Sequence, residues 1–247
     1  MRYFIELSYK GTNYHGWQNQ PNAISLQEVI ENALSTLLNS KIPIVGAGRT
    51  DAGVHARQMF AHFDFETEFD YKQLVFKLNS YLPKDIAIID IFPVDNDTHA
   101  RFSATARSYI YKISNVKNPF SNELSYQMQL PLNIEAMNMA CKKLLGYKDF
   151  QCFSKSNTDV KTYNCDIKYA LWTQKDSELE FKIEADRFLR NMVRAIVGTL
   201  LNIGLGKLEV NDLDRILESK NRSEAGYSVP AHGLYLTKVN YPESIKT

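Results

Sequence analysis

Residues 2–9, RYFIELSY, open the chain with the alternation of side chains that is typical of a β-strand. Tyr3, Ile5 and Leu7 fall on one side of this strand. Phe4 falls on the other side, so both faces of the strand are expected to be at least partly covered. We therefore predict a strand that packs against neighbouring elements on both sides.

The apolar spacing beyond this strand predicts two helices and three more strands in the first hundred residues. The predicted elements are a helix opened by a capping box at Ser25 and Glu28, a short strand at 42–45, a strand at 58–65, a helix at 70–81 and a strand from Ile86. The resulting order is strand, helix, strand, strand, helix, strand. This order is that of ferredoxin-like and RNA-recognition folds.

The second part of the chain offers strands and helices of the same general kind, without a readable sequence repeat. The predicted elements are helices at 133–145, within 185–206 and at 210–218, and strands at 108–113, 165–173, 179–185 and from His232. We therefore expect an α+β protein with two ferredoxin-like or RRM-like halves, 1–104 and 105–247. The halves are expected to share a mostly antiparallel sheet, with helices on one face and a central cleft.

Composition sets limits without deciding the function. The chain has 247 residues, of which 44% are hydrophobic and 23% charged, and a net charge of +1. These values are ordinary for a globular protein and leave nucleic-acid binding undecided. No apolar run approaches the roughly 18 residues that span a membrane. The start, MRYFIELSYKG, becomes polar too soon for a signal peptide, so we expect a cytoplasmic protein.

The cysteines and histidines show no spacing typical of a metal site. Three cysteines form no C-x-x-C pair, and five histidines are scattered along the chain. Reduced, buried thiols are therefore expected, and no metal ligands are predicted.

Residues 46–56, GAGRTDAGVHA, concentrate the most potential chemistry in the chain. The glycines permit a tight turn that another molecule can approach closely, and Asp51 lies on that turn. Arg49 adds a cation two residues away, which favours an ionised carboxylate suited to act as nucleophile or general base. An Arg/Asp pair in such a turn can equally be a structural ion pair. The glycine spacing supports neither a dinucleotide site nor a P-loop.

Two further segments combine aromatic and polar or basic residues. The loop KGTNYHGWQNQP at 10–21 contains Trp17 and Gln18, which could contact bases, although the loop could equally pack its own tryptophan. The segment HARFSATARSYIYKI at 99–113 places Tyr109 on a sheet face beside arginines. Such a tyrosine could stack on a base or belong to the core.

A third segment, ADRFLRNMVRAIVGTLLNIGLG at 185–206, combines arginines with an apolar helical face. An arginine buried near a core helix needs an anionic partner because an unpaired buried charge is costly. Asp51 could be that partner for one of the three arginines in this segment, Arg187, Arg190 or Arg194. A surface arginine on a solvated face is the alternative.

Five segments of the chain resemble the TruA family of tRNA pseudouridine synthases. They are GRTDAGVHA at 48–56, YHGWQ at 14–18, FSATARSYIY at 102–111, FLRNMVRAIVG at 188–198 and GLYL at 233–236. The resemblance implies that Asp51 is the catalytic aspartate and that Arg194 forms an ion pair with it. It also implies that Tyr109 stacks on the uracil and can assist a proton transfer.

The same resemblance implies a function and a set of partners. Uridines at positions 38, 39 and/or 40 in the anticodon stem-loop of tRNA would be isomerised to pseudouridine by a homodimer, without a cofactor or a metal, and the RNA would bind in the cleft. Leu236 would help to line the uracil pocket. The residues implied to contact RNA are Trp17, Gln18, Arg49, His55, Arg101, Arg107 and Arg190. Cys165 departs from the family pattern, which often has a basic residue at that position.

Two other classes of function remain. A non-catalytic RNA-binding protein on the same fold would keep the aromatic residues and arginines but would not need Asp51, Tyr109 and Arg194 together. An aspartate-dependent hydrolase is disfavoured because no second positioned carboxylate or metal cluster accompanies Asp51.

Overall fold

The computed structural model describes residues 1–155 and 160–245 and has the predicted α+β class. The strands are β1 (Arg2–Tyr9), β2 (Val45–Gly46), β3 (His55–Asp64), β4 (Ile86–Val94), β5 (Ala106–Ser114), β6 (Tyr126–Gln127), β7 (Ile167–Lys175), β8 (Glu178–Ala185) and β9 (Leu234–Asn240). The α-helices are α1 (Leu26–Leu37), α2 (Tyr71–Tyr81), α3 (Ile134–Leu144), α4 (Met192–Gly204) and α5 (Asp212–Ser219). None of these helices is both long and apolar enough to cross a membrane.

Contacts within the chain divide it into two compact units. The first unit contains Met1–Ala106 together with the residues from Leu236 onward, and the second contains Arg107–Tyr235. The division after Ala106 lies close to the predicted boundary at 104/105. The residues from Leu236 onward are grouped with the first unit, although the sequence-based division had assigned them to the second half.

The sheet of the first unit has the strand order β4-β1-β3-β9, and β2 also pairs with β3. Strand β1 is antiparallel to both neighbours, with Ile5 opposite Ala61 on β3 and Ile91 on β4. Helix α2 packs on β4, and α1 and α2 contact each other. The order β4, β1, β3, β2 is that of a ferredoxin-like fold, as the sequence pattern predicts.

Strand β1 is covered on both sides, which confirms the prediction from its alternation. Tyr3, Ile5 and Leu7 are fully buried, and so is Phe4 on the opposite side. The ring of Phe4 lies among other aromatic rings, which include those of Phe60, Phe92 and Tyr241. Aromatic clusters of this kind contribute strongly to a core because each ring buries a large apolar area.

The short strand predicted at 42–45 is mostly wrong, because only Val45 of that range lies in β2. The backbone before it bonds to side chains of α1 instead of to a strand. The Ile44 amide donates to Glu31 Oε1 at 2.9 Å, and the Ile44 carbonyl accepts from Gln27 Nε2 at 3.0 Å. The apolar side chain of Ile44 is still buried, so the hydrophobic pattern is satisfied without a ladder.

His62 lies on β3 with only 5% of its surface exposed. Its Nδ1 accepts a hydrogen bond from the Ala100 amide at 3.1 Å, which requires this nitrogen to be unprotonated. Burial, reinforced by the nearby Arg2 and His99, lowers the pKa of His62 to about 4. The imidazole is therefore neutral in the folded protein at neutral pH.

The lowered pKa of His62 predicts that the protein loses stability at mildly acidic pH. Below pH 6.5 the unfolded chain binds a proton at His62 that the folded chain does not bind until pH falls to about 4. The free energy of unfolding is therefore expected to fall by about 1 kcal/mol between pH 6.5 and 5.5 through this residue alone. Urea unfolding at both pH values measures the loss, and His62→Asn should remove it while His15→Asn, at an exposed position, should not. If the free energy of unfolding of His62→Asn falls as much between pH 6.5 and 5.5 as that of the wild type, the assignment of this loss to His62 is wrong.

The sheet of the second unit has the order β5-β8-β7 with antiparallel pairs, and β6 pairs parallel to β5. Helix α3 packs on β7 and on α4. Asn138 of α3 fixes this packing, because its side chain donates to the Trp172 carbonyl at 3.0 Å and accepts from the Trp172 amide at 2.8 Å. Helix α4 is buried along most of its length and forms the centre of this unit.

The three cysteines are buried free thiols, as predicted. Burial raises the pKa of each thiol to about 12, so each is fully protonated at neutral pH. Cys165 is one of them, so its side chain points into the protein. A basic side chain at this position would have to reach out of the core to meet RNA.

Residues 222–230, which we call the strap, cross α4 in close contact. A Cβ atom on Gly226 would lie 2.5 Å from the carbonyl carbon of Gly198 and the amide nitrogen of Thr199. A Cβ atom on Gly198 would lie 1.8 Å from the carbonyl oxygen of Tyr227. Two glycines are therefore needed where the strap and the helix meet.

Gly226→Ala is expected to lower the free energy of unfolding by about 2 kcal/mol, because the strap must move off the helix. Urea unfolding measures the change. The matched control is Gly146→Ala, where the nearest atom to the added Cβ is the Lys143 carbonyl oxygen at 3.5 Å. A similar loss in both variants would mean that the close contact at Gly226 is not the cause.

Candidate active site

The loop at 46–56 is held in place by the segment 11–17 of the same unit. Hydrogen bonds connect them. Among these are bonds from the Trp17 amide to the Thr50 carbonyl at 3.1 Å, from the Gly53 amide to the Tyr14 carbonyl at 3.3 Å, and from the Gly11 amide to His55 Nδ1 at 3.0 Å. Because these bonds lie on both sides of Asp51, the loop is fixed before any substrate binds.

Asp51 lies on the tight turn that its sequence predicts. Its carbonyl accepts from the Val54 amide at 3.1 Å, and Gly53 has a positive φ of 79°. Gly16 also has a positive φ, and a Cβ atom there would lie 2.5 Å from the Thr50 carbonyl oxygen. The Asp51 side chain is only half-buried. A carboxylate on such a fixed turn can act on a bound molecule without a large rearrangement.

Trp17 lies beneath the loop and is only 3% exposed. A Cβ atom on Gly46 would lie 2.4 Å from Trp17 Nε1, so the ring lies against the backbone there. The neighbouring Tyr9 hydroxyl lies 2.9 Å from Thr50 Oγ1. The predicted RNA contact by Trp17 does not fit this burial, and the alternative, a loop that packs its own tryptophan, describes the structure.

His55 is 1% exposed and supports the loop through its bond with the Gly11 amide. Support of the loop fits this burial, whereas the contact with RNA that the resemblance implies does not. Gln18, Arg49 and Arg101 are exposed, as an RNA contact requires. Leu236 is 2% exposed, so its side chain belongs to an apolar environment.

Tyr109 lies on β5 opposite Ile183 of β8 and is half-buried. The ring of Phe188 meets the Tyr109 ring edge-on, with centroids 5.1 Å apart and planes at 86°. This contact restrains the plane of the tyrosine. The sequence-based search did not assign a role to Phe188, although it begins one of the segments that resemble the family.

The two arginines predicted to contact RNA from the second unit lie in different surroundings. Arg107 is half-buried, and its Nη1 donates to the Asp186 carbonyl at 2.8 Å. Arg190 is exposed, and its carbonyl accepts from the Lys155 amide at 3.0 Å. Arg190 is thus the better placed of the two for a contact with a phosphate.

Arg194 lies in the first turn of α4 and is half-buried. Its Nε donates to the Val229 carbonyl at 2.7 Å, and its own carbonyl accepts from the Val229 amide at 3.3 Å. These reciprocal bonds attach the arginine to the strap. With Nε held, the direction of the guanidinium plane is fixed.

The matched segments of the chain decide its family. A sequence profile described as tRNA pseudouridine synthase matches residues 7–103 and 140–242. The chain belongs to the tRNA pseudouridine synthase family. The prediction of family and enzyme class is thereby confirmed. Asp51 and Arg194 lie inside the matched ranges, and Tyr109 lies between them.

Relatives in the tRNA pseudouridine synthase family cover almost the whole chain, Tyr109 included. A protein of Parabacteroides distasonis is 54% identical over 99% of this chain and 97% of its own length. One of Bacteroides fragilis is 53% identical over 99% and 98%. One of Thermoanaerobacter sp. (strain X514) is 41% identical over 96% and 98%. Each is named tRNA pseudouridine synthase A.

Proposed function

We propose that the chain converts uridine to pseudouridine at one or more of positions 38, 39 and 40 in the anticodon stem-loop of tRNA. Membership of the tRNA pseudouridine synthase family and relatives named tRNA pseudouridine synthase A support the class of reaction. The observation that carries the proposal is the loop at 46–56, which presents Asp51 on a turn fixed by hydrogen bonds on both sides. The choice of positions rests on the resemblance to the TruA family.

The conversion of uridine to pseudouridine requires few catalytic groups. The bond between the sugar C1′ and the ring N1 breaks, the uracil turns, and C1′ bonds to C5, which then loses its proton. No electrons are exchanged and no group is added, so the proposal includes no cofactor. Asp51 begins the reaction as nucleophile toward the sugar or the base, or as a general base that removes a sugar proton.

Arg194 and Tyr109 complete the proposed catalytic set. Arg194 forms an ion pair with Asp51, and this pair favours the ionised carboxylate and orients it. The bond from Arg194 Nε to the Val229 carbonyl supports this role because it fixes the guanidinium. Tyr109 stacks on the uracil and can assist removal of the C5 proton. Its edge-on contact with Phe188 supports a fixed ring plane.

The proposed RNA contacts come from exposed or partly exposed polar side chains. Arg49 fills the space that the target base leaves when it turns out of its stack, a step that costs a few kcal/mol. Leu236, which is only 2% exposed, would contribute apolar support to the uracil pocket without being an exposed contact. The remaining contacts are proposed for Gln18, Arg101, Arg107 and Arg190.

A homodimer is part of the proposal. Light scattering coupled to gel filtration tests the oligomeric state, and a monomer in solution would contradict this part of the proposal.

Tritium release tests the proposed activity. A tRNA transcript labelled with tritium at C5 of uridine loses its label to water only when C5 exchanges its proton for the bond to C1′. Release above background by the wild-type chain is the expected result. Bound tRNA with no release would overturn the proposed catalysis and favour a non-catalytic RNA-binding protein. Transcripts with uridine replaced by cytidine at 38, 39 or 40 then identify the positions used.

A further inference from the structure

Ser228 lies at the centre of a small hydrogen-bond network in the strap. Its hydroxyl oxygen accepts from Asn191 Nδ2 at 2.6 Å and from Arg222 Nη2 at 3.0 Å. Asn191 is the residue that precedes α4 and has a left-handed backbone with φ of 67°. One hydroxyl therefore joins the strap to the start of the helix that carries Arg194.

Arg222 closes the strap on itself. While Nη2 bonds to Ser228, Nη1 donates to the Gly226 carbonyl at 3.0 Å. The planar guanidinium holds both acceptors in a fixed geometry that a lysine could not reproduce. The strap between these residues is thus a bend with a defined shape.

Both ends of this bend are anchored to the rest of the second unit. The Gly226 amide donates to Thr199 Oγ1 of α4 at 2.8 Å. The Tyr111 hydroxyl donates to the Pro230 carbonyl at 2.9 Å, and Tyr111 is fully buried on β5. Burial also raises the pKa of Tyr111, so this hydroxyl keeps its proton at every pH of interest. The strap therefore connects α4 to the strand that carries Tyr109.

Val229 lies between the two anchors and bonds to Arg194 in both directions. We infer that Arg222 and Ser228 are positioning residues for the reaction, which hold the Val229 carbonyl so that the Arg194 guanidinium keeps its direction. The inference rests on the proposed role of Arg194. Neither residue touches substrate in this scheme. Both act through the direction of one guanidinium, and an error of about 1 Å in the position of a catalytic group can lower a rate by about 100-fold.

Ser228→Ala tests the inference through the single-turnover rate of tritium release. The rate is expected to fall by roughly 10-fold, with tRNA affinity unchanged within about twofold, because only the placement of Arg194 is disturbed. Ser228→Thr keeps the hydroxyl and is expected to restore the rate. The matched control is Ser223→Ala in the same segment, because the Ser223 hydroxyl bonds to Asn221 and not to the network.

Arg222→Met provides an independent variant, with Arg2→Met as its control. Arg2 pairs with Asp64 in the first unit, and its ion pair does not involve the strap. Arg222→Met is expected to match Ser228→Ala in its rate loss, and Arg2→Met is expected to behave like the wild type. Equal rates in Arg222→Met and Arg2→Met would overturn the inference.

A double-mutant cycle separates positioning from a general loss of structure. If Ser228 acts through Arg194, Ser228→Ala should cause little further loss in an Arg194→Lys background. If the rate loss of the double variant equals the product of the two single-variant losses, the inference is overturned, even if Ser228→Ala folds poorly. The wild-type assay keeps the outcomes distinct. If the wild type releases no tritium, the proposed function is wrong. If the wild type is active and Ser228→Ala is equally active, only the positioning role of the strap is wrong.

Discussion

Asp51→Asn is expected to abolish turnover, lowering the single-turnover rate of tritium release by at least about 10⁴-fold. The substitution keeps the size of the side chain and removes its charge and its nucleophilic oxygen. The loop should keep its shape, because its bonds to the segment 11–17 use backbone groups and His55. Binding of tRNA is therefore expected to stay within a few fold of the wild type.

The control for this variant is Asp97→Asn, an exposed aspartate on the turn after β4. It makes the same chemical change in the same unit, away from the loop, and should leave the rate unchanged. Filter binding at fixed ionic strength measures tRNA affinity for both variants, because affinity for RNA depends strongly on salt. Pseudouridine formation retained in Asp51→Asn would remove the aspartate from the mechanism.

Arg194→Met is expected to lower the single-turnover rate by roughly 100-fold or more, because it removes the proposed partner of the Asp51 carboxylate. Methionine keeps much of the apolar stem and discards the guanidinium. Arg194→Lys keeps a charge but cannot donate from Nε to the Val229 carbonyl while also pairing as a fork. Its rate should therefore lie between those of Arg194→Met and the wild type.

Arg2→Met serves as the control for a lost arginine side chain, because Arg2 pairs with Asp64 in the first unit. Unfolding in urea shows how much of any rate loss reflects a smaller folded fraction, and rates are compared at enzyme concentrations that saturate the tRNA. An unchanged single-turnover rate in Arg194→Met would refute the proposed pair. A loss confined to tRNA affinity would instead assign Arg194 to RNA binding.

The order of elements in the first hundred residues could be predicted because it depends on local apolar periodicity. The alternation at 2–9 and the capping residue Ser25 both lie where the sequence predicts, and the Ser25 hydroxyl accepts from the Glu28 amide at 3.1 Å. The prediction of a strand at 42–45 was mostly wrong, and the reason is not local. Side chains of α1 bond to its backbone there, and no property of the segment itself reveals this.

The candidate site was predicted in a different way. Asp51, Tyr109 and Arg194 were identified by resemblance to a family, because isolated turns and strands of this kind allow structural roles as well. Burial then separates the supporting residues from the exposed ones, as it does for Trp17 and His55. The contact of Phe188 with Tyr109 depends on tertiary packing and could not be read from spacing.

The grouping of the last residues with the first unit has a consequence for how this chain is made. Tyr241 packs edge-on against Phe4 and Phe60 and donates from its hydroxyl to the Ala100 carbonyl. The whole second unit, Arg107–Tyr235, lies between Phe4 and Tyr241 in the sequence. This aromatic cluster is therefore completed only after the second unit has been synthesised, and contacts between residues so far apart in the sequence favour slow folding.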